Sequence, residues 1–378
     1  MVSPQAKLEV IQRHKANELL QAPFLSAMRR SEKDLSVDQP TMAPHPDIAQ
    51  RAVEALEAGE THYVPVPGVD LVRRALVDFV NGSGLSGYDE KNILVTAGMD
   101  EARFLSIQKV GELFGCIAMP EVVHPGARKA AGVRPLDVRF LPVDRDNGML
   151  PTLTGIKEAL RGGCRLFYLE SPGRCTGAVF NPCTVEAIAD LLESYGAAAI
   201  WDQGLRPWAT AECVCLGSLP GMAQWTVVIG EAWPGIGLET LRVAHIAAKE
   251  EWWEQMRSQK QIQSICTSTP SQFAALKAAE MYDDLRSEQF ERLSERRDEA
   301  VEIIKDIGVE LIHGDAVNLV AVRMKAADRA VAALRQEGFY VASGEVFGVP
   351  NVLRFSVTRD EMLTDALGQL GSLDEEHN

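Results

Sequence analysis

Acidic and basic side chains stand at the ends of apolar runs in this sequence, where folding would place them beside the interior. Asp202 directly follows the apolar run 197–201, and Arg354 lies within the apolar run 351–357. An arginine buried without a partner is costly, so Arg354 requires an anion from the chain or from a ligand. Arg174 is a second guanidinium that can bind a carboxylate or phosphate through two parallel hydrogen bonds. Each of these arginines could bind an anionic group of the chain or of a ligand.

Glu231 and His124 are the candidates for moving a proton, with Arg174 as a third candidate catalytic residue. Glu231 lies two residues before Trp233, and a glutamate packed against a large apolar ring would have a raised pKa that suits a general base. His124 precedes a Pro-Gly pair, and imidazole is the side chain that titrates nearest to neutral pH. A structural role for Glu231 and a simple hydrogen-bonding role for His124 remain open alternatives.

A glycine placed between a strand and a helix offers a second anion site. The apolar run 92–97 leads into Gly98, and a helical pattern begins at Asp100. Amides at the N-terminus of a helix attract anions, and glycine lets a ligand approach the backbone closely. We therefore predict that Gly98, Met99 and Asp100 line an anion site, although the Asp100 carboxylate would repel a phosphate if it pointed inward.

Short apolar runs alternate with helical patterns through most of the chain. Their lack of polar alternation is typical of strands in a sheet that helices cover on both faces. The predicted strands lie at 92–98, 116–119, 138–143, 165–169, 197–201, 226–229 and 243–247. The predicted helices lie at 46–58, 70–80, 100–112, 153–160, 185–194 and 271–307. The pattern predicts an α/β architecture.

The two ends of the chain differ from this middle part. Residues 8–30 have helical periodicity and are followed by a proline-rich extended arm. Near the C-terminus, apolar runs and one helical pattern predict a smaller α+β domain. We predict an N-terminal helix and arm over 1–45, a large domain over 46–285, and a small domain over 286–378 that packs with the arm.

Composition excludes several classes of function. The hydrophobic fraction of 46% and charged fraction of 24% are those of a globular protein. A net charge of −15 argues against nucleic acids and anionic membranes as partners, and no apolar run reaches the ~18 residues of a membrane span. Seven cysteines without framework spacing, and a polar N-terminus, predict a cytoplasmic protein. No His/Cys cluster has zinc spacing, so no metal site is expected.

The segment 226–245 resembles the cofactor-binding segment of class I and II aminotransferases, the fold-type I enzymes that use pyridoxal 5′-phosphate (PLP). In that family a lysine stands eight residues before an arginine, with glycines three and six residues after the lysine. Arg242 matches the arginine and Gly237 the first glycine, whereas Thr240 replaces the second. The lysine position falls on Pro234, which has no amine to form a Schiff base.

Further motifs carry the same resemblance. Residues 63–68 resemble a Y-x-P-x-x-G loop whose tyrosine, here Tyr63, reaches across a dimer to the cofactor phosphate; a stiff surface loop is the alternative. Residues 171–177 resemble N-P-x-N-P-T-G, with Arg174 in place of the asparagine that bonds the ring hydroxyl. Asp202 stands where an aspartate pairs with the pyridine nitrogen, or it simply follows a strand, and Leu205 replaces the family tyrosine.

The resemblance implies a fold and a set of roles. The fold is a fold-type I large domain with a mostly parallel seven-stranded sheet covered by helices, plus a smaller α+β domain, in a homodimer. Cofactor-binding positions fall on Gly98, Met99, Asp100, His124, Asp202, Arg242 and Tyr63. Substrate-binding positions fall on Arg354, which matches a carboxylate-binding arginine, and on Arg174, Tyr63 and Trp233.

Three functions remain open. The one we favour is an enzyme of aminotransferase fold that acts on an amino acid or another carboxylate-bearing small molecule, in a specialised biosynthetic pathway, without lysine-linked PLP. The second is an enzyme that holds PLP noncovalently, with His124 or His245 near it. The third is a non-catalytic binding subunit, since a retained fold does not establish an activity.

Overall fold

The computed structural model describes residues 33–38, 43–85, 87–357 and 361–375. The predicted helix over 8–30 lies outside these residues. Within the described part of the chain there are ten α-helices and fourteen strands, and none of the helices is both long and apolar enough to span a membrane.

The secondary structure elements alternate along the chain as follows. The strands are β1 (Asp34–Leu35), β2 (Ile93–Ala97), β3 (Cys116–Pro120), β4 (Asp137–Leu141), β5 (Val143–Asp144), β6 (Leu150–Pro151), β7 (Leu166–Glu170), β8 (Ala198–Asp202), β9 (Thr226–Glu231), β10 (Val243–Ala247), β11 (Glu310–Ile312), β12 (Leu319–Arg323), β13 (Tyr340–Ser343) and β14 (Val352–Ser356). The helices are α1 (Pro46–Glu57), α2 (Asp70–Gly82), α3 (Met99–Phe114), α4 (Pro125–Gly132), α5 (Leu153–Arg161), α6 (Pro182–Tyr195), α7 (Glu250–Gln263), α8 (Thr269–Asp306), α9 (Ala327–Gln336) and α10 (Met362–Glu375).

A seven-stranded sheet with the order β2-β10-β9-β8-β7-β3-β4 forms the centre of the fold. All neighbouring strands are parallel except β10, which is antiparallel to both β2 and β9. The predicted mostly parallel sheet is therefore confirmed. The parallel strands β7, β8 and β9 end at the same edge, which places Glu170, Asp202 and Glu231 close together.

Helices cover both faces of this sheet, which explains why its strands are continuously apolar. On one face, α1, α2, α6 and α8 pack in a core that includes Leu76, Ile188 and Ala278. On the other face, α3, α4 and α7 pack in a core that includes Leu105 and Met256. Side chains fix some helix starts, since Thr152 and Asn181 accept hydrogen bonds from backbone amides of α5 and α6.

A second sheet has the order β1-β13-β14-β12-β11. Its strand β1, from the N-terminal part of the chain, pairs in parallel with β13. The long helix α8 joins the two layers, because Tyr282 packs in the core of the large sheet and Ile304 in the core of the second sheet. The domain boundaries at 45/46 and 285/286 remain predictions.

Several elements were not predicted. They are α4, α7, α10 and the short strands β1, β6 and β13, which have brief or polar sequence patterns. The side chains of Cys116 of β3 and Cys164, 48 residues later, lie within reach of a disulfide. The cysteine spacing did not predict this pair, because the parallel neighbours β3 and β7 bring the two residues together.

Candidate functional site

The centre of the site is the Asp202 carboxylate, which is completely buried at the end of β8. Its Oδ1 accepts hydrogen bonds from Arg174 Nη2 at 2.9 Å and from the amide of Gly204 at 3.0 Å. Its Oδ2 accepts from the Tyr168 hydroxyl at 2.8 Å and from Arg103 Nε at 3.0 Å. Burial alone would raise the pKa of Asp202, but Arg174 and Arg103 outweigh it and hold the pKa well below its usual range. Asp202 is therefore ionised and fully bonded.

Arg103 is a site residue that sequence reasoning missed. It extends from α3 with only 3% of its side chain exposed, and its Nη1 also contacts Asp100 Oδ1 at 3.3 Å. The available signal was an arginine on the buried face of a helix, surrounded by Ala102 and Leu105. A buried guanidinium there required a buried anion, which is Asp202.

Arg174 connects Asp202 to two further carboxylates. Its Nη1 lies 3.2 Å from Asp38 Oδ2 and 3.7 Å from Glu231 Oε1. The guanidinium passes directly over Gly204, where a Cβ atom would lie only 1.9 Å from Arg174 Nη2. Glycine at this position is thus what allows the arginine to reach Asp202.

Arg354 on β14 is also completely buried, and the chain itself supplies its anion. Arg354 Nη1 donates to Asp38 Oδ1 and to the Arg174 carbonyl, and Nη2 donates to the Ser36 carbonyl. Burial alone would raise the pKa of Asp38, but Arg354, Arg174 and His124 together hold it well below its usual range. We call Asp38, Arg103, Arg174, Asp202 and Arg354 the ion-pair network.

His124 borders this network without carrying a charge. Its Nδ1 accepts the Gly126 amide at 3.0 Å, so the ring proton lies on Nε2, which is 3.7 Å from Asp38 Oδ2. Burial and the nearby Arg103 lower the pKa of His124 to about 3. Burial beside two guanidinium groups thus opposes the titration near neutral pH that the sequence analysis expected for His124, and its role as a proton carrier stays a prediction.

Burial raises the pKa of two carboxyl groups of the site, Glu170 and Glu231. Glu170 accepts the backbone amides of His124 and Arg174 at 2.9 and 3.1 Å, and burial together with Asp202 raises its pKa to about 7. Burial also raises the pKa of Glu231 to about 7, although Arg174 opposes the shift. Glu231 is the more accessible of the two, with 21% of its side chain exposed.

At the predicted anion site at the start of α3, the backbone around Gly98 is not capped by a side chain and Arg242 lies close to it. Gly98 precedes the helix with no side chain capping it, and Arg242 Nη2 lies 3.2 Å from the position of a Cβ atom on Gly98. Arg242 also donates to the Ala97 carbonyl at 2.8 Å. The Asp100 carboxylate contacts Arg103, and Met99 is almost buried.

Tyr63 is exposed, and Trp233 packs in an aromatic cluster. Tyr63 is 80% exposed, and the contact predicted for it belongs to a partner subunit. Trp233 is buried against Phe79, with ring centroids 5.9 Å apart, and it lines a cavity that Glu231 and Gly204 also line. Among the described residues, no cluster of three or more His, Cys, Asp or Glu side chains is arranged to hold a metal ion.

These residues fit the pyridine ring of PLP and its phosphate group to different degrees. At the ring end, both oxygens of Asp202 are already bonded, so no oxygen is free for a pyridinium N–H. Pro234 is buried, and its carbonyl accepts the Tyr282 hydroxyl at 3.3 Å. At the other end, Gly98 and Arg242 suit a phosphate. The ring end therefore does not fit PLP as this chain stands, whereas the phosphate end does.

The next lysines after Pro234 have other partners. Lys249 Nζ donates to the Gly87 carbonyl at 2.6 Å. Lys260 is completely buried, and its Nζ lies 2.7 Å from Glu101 Oε2 and 3.1 Å from the Ser264 hydroxyl. Both amines are thus held by groups outside the ion-pair network.

The sequence of this chain matches a known protein family. The sequence model of the family described as aminotransferase class I and II matches residues 32–204 and 235–370. The unmatched residues 205–234 begin at Leu205 and end at Pro234, onto which the motif alignment in the sequence analysis places the family tyrosine and lysine positions.

Individual proteins agree with this match. The aspartate aminotransferase of Geobacillus stearothermophilus is 23% identical over 377 residues, covering 94% of this chain and 92% of that protein. That of Pyrococcus horikoshii is 24% identical over 197 residues, which span 51% of this chain and 49% of that protein. A double mutant of Thermus thermophilus aspartate aminotransferase has a similar fold, with a TM-score of 0.85 at 21% identity over 95% of this chain and 96% of that one.

The sheet order, the site at the ends of β7, β8 and β9, and the matched residues lead to one conclusion. The chain belongs to the class I and II aminotransferase family, within the fold-type I superfamily.

Proposed function

We propose that this chain is an aminotransferase-family enzyme that acts on an amino-acid-like or other carboxylate-bearing small molecule without lysine-linked PLP. The observation that carries the proposal is the ion-pair network. Arg174 and Arg354 hold the carboxylate of Asp38 between them. An incoming carboxylate that displaced Asp38 would meet the same two guanidinium groups, so the exchange conserves ion pairing.

The side chains around Asp38 have different roles in this proposal. Arg174 and Arg354 bind and orient the carboxylate. His124 presents Nε2–H beside Asp38 and donates to the bound anion. Glu231, 3.7 Å from Arg174 and with a pKa of about 7, takes a proton from the substrate or returns it. The reaction is therefore an acid–base step next to a fixed positive charge.

A pair of measurements tests the proposal. Succinate binding is measured by calorimetry for the wild type, for Arg354→Met, and for Arg161→Met as a control at an exposed arginine of α5. We expect Arg354→Met to weaken binding at least ~10-fold and the control to leave it unchanged. Equal affinity in the wild type and Arg354→Met would refute the carboxylate-binding role.

The absence of a lysine linkage is tested separately. Purified protein is incubated with PLP, reduced with borohydride and digested for mass spectrometry. The expected result is no pyridoxyl adduct on a lysine of the site. A stoichiometric adduct on Lys249 or Lys260 would contradict the proposal, whereas succinate binding without any turnover would favour a non-catalytic subunit.

Noncovalent binding of PLP is a second candidate, and the pairing of Gly98 with Arg242 favours it. The phosphate group would lie against the amides at the start of α3 and the Arg242 guanidinium. Arg242→Ala should weaken the binding of PLP and of inorganic phosphate by ~10-fold or more, with Arg161→Ala as the control. Equal affinities in the two variants would exclude this site.

We further propose that the enzyme is a cytoplasmic homodimer. Tyr63, Leu71 and Leu56 expose large hydrophobic surfaces on the single chain, and Arg242 is exposed beside Gly98. A partner subunit that placed its Tyr63 near Arg242 would cover both surfaces. Light scattering should give twice the chain mass of 41.4 kDa, and a monomer at micromolar concentration would contradict this arrangement.

A further inference from the structure

A cavity of about 610 Å³ lies behind the ion-pair network, on the face of the large sheet that α2 and α8 cover. Its volume is in the range of small-molecule binding pockets. Glu231 and Gly204 separate it from Asp202 and Arg174, and exposed residues of α2 and α8 form its opening. Neither the proposed substrate site nor the family resemblance assigns a ligand to it.

His245 on β10 is an unpartnered polar side chain that faces this cavity. The residue is 1% exposed, and neither Nδ1 nor Nε2 has a hydrogen-bond partner within the described part of the chain. Gly230, its neighbour on β9, provides the space for the ring, because a Cβ atom there would lie 2.7 Å from His245 Cε1. Two buried nitrogens left without partners are costly, which indicates that something else bonds them.

Aromatic side chains form the wall beside His245. Phe79 contacts Trp233 and Tyr282, with ring centroids 5.9 and 5.6 Å apart, and meets the edge of the His245 ring at 6.2 Å. Burial lowers the pKa of His245 to about 4, so the imidazole is neutral at pH 7. A neutral imidazole accepts one hydrogen bond and donates another.

The charged lining of the cavity favours a cation. Glu231, Asp78 and Asp283 contribute carboxyl groups. The lining also contains two arginines, and each donates a hydrogen bond to a backbone carbonyl. Arg206 Nε donates to the Cys213 carbonyl at 3.3 Å, and Arg286 Nε donates to the Pro207 carbonyl at 3.0 Å. Carboxylates and aromatic faces together attract an organic ammonium group.

We propose that this cavity binds a small organic cation, an ammonium group carried on an aromatic body, through His245, the aromatic wall and the carboxylates of α2 and α8. The ammonium donates a hydrogen bond to the unprotonated nitrogen of His245, and the aromatic body packs against Phe79 and Trp233. This proposal shares Glu231 with the function proposed above but needs neither Arg354 nor Asp38.

Calorimetry with 2-phenylethylamine as the probe tests the proposal. The comparison ligands are 3-phenylpropionate, which carries a negative charge in place of the ammonium, and n-butylamine, which lacks the ring. We expect 1:1 binding of 2-phenylethylamine that is at least ~10-fold tighter than that of either comparison ligand. His245→Phe and Asp283→Asn should each weaken it several-fold, while Asp190→Asn, at an exposed aspartate of α6, should not.

Histidine ¹⁵N spectra of the wild type provide a second measurement if His245→Phe fails to fold. The His245 ring nitrogens should shift on addition of 2-phenylethylamine and stay unchanged with 3-phenylpropionate. No binding, equal binding of the anionic ligand, or binding unaffected by Asp283→Asn and without a His245 shift would overturn the proposal. Arg354→Met should leave amine binding intact, so a failure here is distinguishable from a failure of the carboxylate site.

Discussion

Asp38 accepts a hydrogen bond from Arg354, across 316 residues of sequence, and thereby places a carboxylate of the chain on the arginine predicted to bind a substrate carboxylate. The same carboxylate lies 3.2 Å from Arg174. The two most deeply buried arginines of the site are therefore neutralised without a ligand. Any external anion that binds there has to compete with Asp38.

Removal of the Asp38 carboxylate should lower the stability of the fold and raise the affinity for an external carboxylate. Asp38→Ala leaves Arg354 and Arg174 short of an anion, and breaking such a buried pair costs about 3 kcal/mol of unfolding free energy. The same change should tighten succinate binding at least ~10-fold, because competition is removed. Urea unfolding and calorimetry measure the two effects. Glu186→Gln on α6 is the control, and unchanged succinate affinity in Asp38→Ala would contradict the competition.

The buried pair of Lys260 and Glu101 should be a structural element. Lys260→Met leaves the Glu101 carboxylate buried without its cation, which we expect to cost about 3 to 5 kcal/mol of unfolding free energy. The double variant Lys260→Met with Glu101→Gln keeps the oxygen that accepts the Ala97 amide and removes the charge. It should recover most of the loss. A cost below ~1 kcal/mol for Lys260→Met in urea unfolding would show that water solvates Glu101.

His245 should contribute to the loss of stability in acid. Burial lowers its pKa from 6.5 to about 4, so below pH 6.5 the unfolded chain binds a proton that the folded chain does not. The stability that depends on the neutral ring is fully present above the pKa of His245 in the unfolded chain. It is lost as the pH falls toward the pKa of His245 in the folded protein. Between about pH 7 and about pH 5 this amounts to ~2 kcal/mol.

Urea unfolding of His245→Gln at the two pH values measures this contribution. The variant should lose about 2 kcal/mol less stability than the wild type on acidification. His62→Gln, at an exposed histidine, should behave like the wild type. Equal acid sensitivity of His245→Gln and the wild type would mean that the ring is already protonated or hydrated in the folded protein.

Glu231 and Glu170 should titrate together near neutral pH. Each has a pKa raised to about 7 by burial, so a protonated carboxyl band in the infrared spectrum should disappear with a midpoint near this pH. Glu231→Gln should remove about half of that band, because Glu170 remains. A wild-type spectrum with no protonated carboxyl at about pH 6 would rule out Glu231 as the proton carrier.

The fold class and much of the secondary structure followed from local patterns. Continuous apolar runs such as 165–169 predicted the covered strands, here β7, within one residue, and the helical periodicity of 271–307 predicted α8 within two residues. Short elements without such a pattern, α4 and β13 among them, were missed because contacts elsewhere in the fold stabilise them.

The candidate site was predictable only in part. Asp202 and Arg354 were identified from their residue types in or beside apolar runs together with the family resemblance, and Arg174 and Glu231 from motifs that resemble the family; the structure brings Arg174 into contact with the other three. Arg103 was not identified, since a helical pattern does not show which buried anion will meet a charged side chain.

The sequence by itself determined the local elements and the family, because these depend on neighbouring residues and short spacings, and it predicts Pro234 at the family's lysine position. Only the tertiary structure decided which charges meet. Asp202 and Arg103 are 99 residues apart, and Asp38 and Arg354 are 316 apart. Contacts over such separations depend on strand order and on how the two sheets face each other, so the internal neutralisation of both arginines has no signature in the local sequence.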